Sequence, residues 1–560
     1  MRRLAVLLLA GGCADGVATA NVASTSDEPM ETTRGMPSGT TLSPMPPAGT
    51  GSTTAGHADT VVAETTDGSE TTDSGDASSG ELPAGPPQWP AYEDVGEAVG
   101  MTAIHTALLG HHAIGQAWGD YDNDGWLDLY VTGGLASSVL FHNEGDGTFT
   151  ESPLSPQVEL FEAATAGAAW ADYDNDGWLD LYVTCDGRNY LFHNDAGVAL
   201  VDVTEEARVL DDRYGVMVAW GDYDADGWLD LYAANHGGDR DAIYHNDGNG
   251  TFTEVSELIG AEQNNKAAFA MTFIDYDKDG DPDLHIVNDH IHGNDLFRND
   301  GPGCGGWCFT DVREESGAGI YINGMGQAVG DYDNDGDLDL FFSDIFHTHL
   351  MQSHTEQGSP TFSEVTLHSG LEFAAISWGT VFIDFDNDGW LDLYLASQNN
   401  VPHLANRLFR NRRNGSFEDV TEHLGDINTA FTYGVGYADY DHDGFIDLVV
   451  GNRGTDYQLL HNTATTGPGH HWITLALHGS EPINNDAIGA WVTVTDTLGI
   501  ERVAEVRSGS TMGGGNSMRL HFGFGDASLS TVHVRWPDGT ESDYADLPTD
   551  AIIDLDYPAP

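Results

Sequence analysis

The chain has 560 residues and an apolar fraction of 40%, enough for two or three domains with sizeable cores. Asp and Glu total 90 against 20 Lys and Arg, a formal net charge of -70, so the acids either fill a solvated tail or converge on cations. Basic residues this few and scattered exclude a nucleic-acid partner, because phosphate binding needs clustered Lys and Arg.

At the N-terminus, Met1, Arg2 and Arg3 precede the apolar run 4–10 and then Gly11, Gly12 and Cys13. A positive start, a short apolar stretch and small residues read as an export signal too short to span a bilayer. The pattern resembles a bacterial lipoprotein signal over residues 1–13, ending at a lipidated Cys13. That implies a lipoprotein of the outer membrane or cell surface of a bacterium; cleavage after Ala18-Thr19-Ala20 to give a soluble secreted protein stays open. No other stretch reaches the ~18 to 20 apolar residues of a membrane helix, so a lipid anchor is the one membrane contact expected. Residues 14–88 are Thr, Ser, Gly, Pro, Ala and acid, with no aromatic residue before Trp89, and are read as a disordered tether.

Across residues 89–465 one unit recurs: an aromatic-acid-Val strand, an Asp-rich loop running into a strand, and a short strand of the type Leu140-Phe141-His142-Asn143. The fifth unit has Leu350-Met351-Gln352-Ser353 at the last position. Seven Asp loops start 50 to 56 residues apart, a period that with Gly-rich turns and short strands predicts an all-β, seven-bladed propeller of four-stranded blades. Strand 92–95, first in the chain, is expected to close the ring as the outer strand of the last blade. Trp118, Trp170 and Trp220, each two residues before a loop, read as core between blades.

Each loop carries Asp at positions 1, 3, 5 and 9 with Gly at position 6. The first loop has Asp120, Asp122, Asp124 and Asp128; the second Asp172, Asp174, Asp176 and Asp180; the third Asp222, Asp224, Asp226 and Asp230. The fourth has Asp275, Asp277, Asp279 and Asp283; the fifth Asp331, Asp333, Asp335 and Asp339. The sixth has Asp384, Asp386, Asp388 and Asp392; the seventh Asp439, Asp441, Asp443 and Asp447. A hard cation such as Ca²⁺ takes six to eight oxygens, which alternate residues of a tight loop can aim inward. Position 7 would add a backbone carbonyl, so its side chain is free to vary among Trp126, Trp178, Trp228, Asp281, Asp337, Trp390 and Phe445. Carboxylates within ~5 Å repel by several kcal/mol per pair at an effective dielectric of about 20, so up to seven Ca²⁺ ions are expected to hold the loops closed. Helix-flanked EF-hands are rejected, because their last ligand stands at position 12 and these flanks are β-prone.

With their Asn-rich turns and Phe strands, these loops resemble FG-GAP or VCBS repeats over residues 92–462. The resemblance implies calcium in the loop between the first and second strands of a blade, on the face opposite the usual ligand face. Residues 468–557, a small β domain, resemble the ASPIC/UnbV domain through Asn484-Asn485-Asp486-Ala487-Ile488-Gly489-Ala490, Arg507-Ser508-Gly509-Ser510, His521-Phe522-Gly523-Phe524-Gly525 and Val534-Arg535-Trp536-Pro537-Asp538-Gly539. The pairing is similar to the cartilage acidic protein family and implies an extracellular calcium-binding protein. A Gly-rich run at 512–516 stands where that family has an aromatic-Ser element.

Cys304 and Cys308, in a Gly-rich loop, are expected to form a disulfide in an oxidising compartment. His236, His290, His292, His347, His349 and His403 follow second strands, on the face away from the Asp loops, where imidazoles could form a second metal site or a partner surface. His142, His193, His245 and His461 recur at one blade position and read as packing. These observations point to an exported, surface-anchored calcium-binding propeller that binds an extracellular protein or glycan, an interaction or adhesion protein. The alternative is a propeller enzyme, a hydrolase, a lyase or a metal-dependent oxidoreductase, that uses the His-rich face.

Overall fold

The computed structural model describes residues 91–106, 113–261, 266–290, 292–304, 306–355, 360–398, 405–425, 430–465 and 469–558. The expected signal and Cys13, the tether, and His403 lie outside the described residues. Seven four-stranded antiparallel sheets follow one another along the chain, each running from an inner to an outer strand. In the first blade these strands are Gln116–Gly119, Asp128–Val131, Val139–Asn143 and Phe149–Glu151. Inner strands of successive blades lie side by side, and Thr432–Ala438 of the seventh meets Gln116–Gly119 of the first. Tyr92–Asp94 pairs antiparallel with Gln458–Asn462, so the outer strand of the last blade comes from the start of the ring and leaves it no open seam.

Burial follows position in the blade. The second strand, such as Asp128-Leu129-Tyr130-Val131, is buried throughout because neighbouring blades cover both its faces. Outer strands bury their aromatic residue and expose the next two, as Phe149 against Thr150 and Glu151 shows. Trp118, Trp170 and Trp220 are at most 2% exposed, and Trp170 and Trp220 stack on Tyr121 and Tyr173 of the preceding blade's loop. The Asn of the third strand clamps adjacent blades. The Nδ2 groups of Asn143, Asn194, Asn246, Asn299, Asn411 and Asn462 donate to the second-residue carbonyl of the preceding blade's Asp loop, at 2.7–2.9 Å. Ser353 holds this place in the fifth blade. There Thr348–His354 still forms the third strand, because its backbone pairing does not require the amide.

The C-terminal residues form a three-stranded sheet and a four-stranded sheet. In the first, His471–His478 lies between Leu520–Gly525 and Ala551–Asp556. In the second, the order is Glu501–Glu505, Trp491–Asp496, Leu529–Arg535 and Glu541–Ala545. Val492, Val494, Val532 and Val534 fill the space between them. Residues 507–517 leave this domain and enter the centre of the propeller, where inner strands otherwise present unpaired edges. Gly515 N donates to Gln116 O at 2.9 Å, Ala168 N to Gly513 O at 3.2 Å, and Trp220 N to Ser508 O at 3.1 Å. Thr511 Oγ1 reaches Thr380 O, and Tyr437 N donates to Asn516 Oδ1. The Gly-rich run therefore plugs the channel, and backbone contact explains its composition: a Cβ on Gly514 would sit 2.2 Å from Gln116 O, and one on Gly509 2.1 Å from Val218 O.

Candidate functional site

Every Asp loop joins an inner strand to the second strand, so all seven open on the same face of the ring. The first shows how the positions divide the work. Asp120 accepts the amides of Asp124 and Gly125 at 3.0 and 2.8 Å, and Asp124 accepts that of Trp126 at 2.9 Å, so the carboxylates wind the turn. Position 4 takes a left-handed φ, from 53° at Ala225 and Asn387 to 61° at Lys278, and Gly follows at position 6 with φ of 86–102°. Four of the position-4 residues are Asn, and Asn123, Asn175, Asn334 and Asn387 donate to the position-6 carbonyl of the next loop at 2.8–3.0 Å. Position 9 is fully buried. Asp128 accepts Tyr121 N at 3.2 Å and Asn143 N at 2.8 Å, and its six counterparts repeat this tie to the third strand.

Position 3 is different. Asp122, Asp174, Asp224, Asp277, Asp333 and Asp386 each keep a buried Oδ1 without a hydrogen-bond donor, as do Asp275 and Asp439 at position 1. A buried carboxylate oxygen with no donor is costly unless a cation meets it, and this is where the chemistry of the loop fits a hard dication. Burial, with repulsion from neighbouring acids, pushes the carboxyls up: Asp174 to about 6, Asp128 and Asp331 to about 7, and Asp180 to about 8.

Sequence reasoning missed the histidines of the third strand. His142 Nδ1 lies 3.3 Å from Asp122 Oδ2 and 3.2 Å from Asp128 Oδ1, and His193, His245 and His461 repeat this at their own loops. His142 and His461 hydrogen-bond the buried position-9 carboxylates and His193 and His245 lie 3.2 Å from theirs, and this proximity raises all four to about 9. The signal was present as a column: the same position holds Arg298 and Arg410 in the fourth and sixth blades, so six of seven are His or Arg. Arg410 goes further than the histidines. Its Nε lies 2.6 Å from Asp386 Oδ2 and its terminal nitrogen 2.5 Å from Asp388 Oδ2, with Arg413 2.9 Å from the same oxygen, so guanidinium groups occupy the sixth loop. In the fifth, Gln352 Nε2 donates to Asp333 Oδ2 at 2.6 Å.

The C-terminal domain covers this face. Asn485 Nδ2 donates to Asp172 Oδ2 at 2.8 Å, and Asp172 N donates to Asp486 Oδ2 at 2.7 Å. Arg535 binds Asp275, Arg502 Nε donates to Gly389 O at 2.9 Å, Arg519 donates to Gly125 O at 2.8 Å, and His521 Nε2 meets Asn387 Oδ1 at 2.7 Å. The domain's recognisable motifs are thus spent on the propeller itself.

On the opposite face the histidines separate into groups. His236 and His290 come together with Asp289, and His292 lies beside His290. His349 pairs instead with Asp344 at 3.4 Å and Glu364 at 2.8 Å, and His347 is exposed. Cys304 and Cys308 are joined by a disulfide in the hairpin of the fourth blade.

FG-GAP-like repeat matches cover residues 120–183, 172–233, 222–286, 275–342 and 384–450, each beginning at the first Asp of a loop, and an ASPIC and UnbV match covers 480–560. Cartilage acidic protein 1 of Xenopus tropicalis is 27% identical over 288 residues, 49% of this chain and 43% of that protein. The Mus musculus and Homo sapiens proteins are 28% and 27% identical over the same length, with 43% and 42% of their chains covered. The chain spans less than half the length of these relatives. It belongs to the family of FG-GAP-like repeat propellers and carries a C-terminal ASPIC and UnbV domain.

Proposed function

We propose that this protein is an exported, calcium-loaded interaction platform that offers the face opposite its Asp loops to an extracellular protein or glycan. The reading rests on one observation, the buried, donor-less position-3 oxygens repeated from blade to blade, which call for a dication. Ca²⁺ would bind through positions 1, 3 and 5 and the position-7 carbonyl, with position 9 holding the turn. The sixth loop also keeps a donor-less Asp386 Oδ1, but Arg410 and Arg413 hold Asp386 Oδ2 and Asp388 Oδ2 and supply positive charge in place of an ion, so six ions are the expected complement. The docked C-terminal domain leaves the His-bearing face as the available one. Export is supported by the relationship to cartilage acidic protein and by the N-terminal sequence, with anchoring through Cys13.

Metal counting on the purified chain, paired with thermal unfolding with and without a chelator, tests the calcium reading. Near six Ca²⁺ per chain and a melting temperature that falls on chelation and recovers in millimolar Ca²⁺ are expected. A stripped protein that melts at the same temperature would refute it. For the platform role, the folded chain is used to capture partners from cell-envelope extract. One saturable partner whose binding is lost on substituting His347 and Phe346 of the open face supports the role; unsaturable adhesion refutes it.

A further inference from the structure

We propose that His236, Asp289 and His290 form a binding site for one first-row transition-metal dication on the face opposite the Asp loops. One ligand atom from each lies within 4.8 Å of the other two. The site straddles the third and fourth blades. His236 follows the second strand Asp230–Asn235 of one, and Asp289 follows Asp283–Asn288 of the next. Each donates its backbone amide to the segment entering its own inner strand, His236 N to Tyr214 O at 2.8 Å and Asp289 N to Ala267 O at 2.9 Å, so both stand at the same rim position of adjacent blades. His290 adopts a left-handed φ of 59°, which turns its ring back over Asp289. Asp289 Oδ1 accepts the His290 amide at 2.6 Å, and Oδ2 stands 3.6 Å from His290 Nδ1. A tetrahedral ion with bonds of ~2.0–2.2 Å places neighbouring donors about 3.4 Å apart, so donors that lie within 4.8 Å of one another close on it with a contraction of at most about 1.4 Å.

The donor set selects the metal. Two imidazoles and one carboxylate suit Zn²⁺ or Fe²⁺, whereas Ca²⁺ seeks six to eight oxygens. The surroundings hold the ligands in place. The His236 ring stacks on Phe269 at 4.1 Å and meets Tyr214 edge-on, and Phe269 in turn abuts Trp378 in an aromatic layer of the same core cluster as Met512 of the plug. His236 and Asp289 are 4% and 1% exposed, while the His290 side chain is 40% exposed. Two buried ligands and one at the surface leave coordination positions open to solvent, the arrangement of a reactive metal centre and not of a closed structural one. Burial raises the Asp289 carboxyl, with Asp344 adding to the effect, and a dication would relieve both. The inference does not depend on the calcium reading, since the residues, the face and the donor chemistry all differ.

The test titrates Co²⁺ into the full chain in millimolar Ca²⁺, which keeps the oxygen-rich loops filled, and follows visible absorption and metal retained after gel filtration. One Co²⁺ per chain is expected, displaced by equimolar Zn²⁺. His290→Ala, at a partly exposed residue, should fold and weaken binding by more than ~100-fold, beyond the 10–100-fold typical of a supporting residue. Asp289→Asn should do the same, and His368→Ala, at an exposed histidine, should bind as the parent does. Failure of the parent chain to retain Co²⁺, or equal retention by His290→Ala, overturns the site. Loss of calcium binding with Co²⁺ retained would refute the platform's calcium reading and leave this site standing.

Discussion

Replacing Gly514 by Ala tests whether the plug holds the two domains together. The new Cβ would stand 2.2 Å from Gln116 O and 2.5 Å from Gln116 Nε2, against an ordinary contact above about 3.4 Å, so the segment must withdraw by about 1 Å. No left-handed φ is involved at Gly514, and the penalty is purely one of space. Withdrawal breaks the bonds from Gly515 N to Gln116 O and from Trp118 N to Gly515 O, and strains that from Ala168 N to Gly513 O. At roughly 1 kcal/mol per buried backbone bond the two broken bonds come to about 2 kcal/mol. Urea unfolding followed by tryptophan fluorescence, in saturating Ca²⁺, measures it. Gly306→Ala serves as the control, because a Cβ there meets nothing within 4 Å. A Gly514→Ala loss below about 0.5 kcal/mol would show that the plug rests in the channel without stabilising it.

Replacing Arg410 and Arg413 together by Gln should free Asp386 and Asp388 and raise the calcium count by one per chain; an unchanged count, read by metal analysis, refutes the idea that guanidinium replaces an ion there. Asn246→Ala removes a donor to Tyr173 O across a blade boundary and one to Leu229 O within its own blade, and should cost about 2 kcal/mol in the same urea assay, whereas a neutral result would mean that packing alone joins the blades. His105 is 1% exposed and bonded to Thr132 O at 2.9 Å, and burial lowers it to about 4. Because its folded value lies below the ordinary 6.5, the unfolded chain takes up the proton first, so stability is complete above pH 6.5 and falls as pH drops toward 4, by about 3 kcal/mol. His105→Asn should flatten that part of the pH–stability curve, and an unaltered acid slope would exclude His105 as its source.

The repeating parts of this protein were legible in one dimension because they are set by local chemistry. Asp at alternate positions followed by Gly dictates a tight acidic turn, and seven such turns at near-constant spacing imply seven blades closed by strand 92–94. The third-strand histidines were visible as a recurring column, yet their role was hidden: only the antiparallel pairing of the second strand with the third carries His142 back beside Asp122 and Asp128, residues 20 and 14 positions earlier. Likewise the guanidinium in the sixth loop looks, on paper, like any other residue of that column. The Gly-rich run at 512–516 reads as a departure from the family pattern until its backbone is seen between inner strands that no side chain could approach so closely. Asp289 meets His236 across a blade boundary, although the two lie 53 residues apart. Local sequence determines turn and strand, whereas contacts between blades and across the channel depend on how distant segments are brought together by closing the ring, and no local pattern records that.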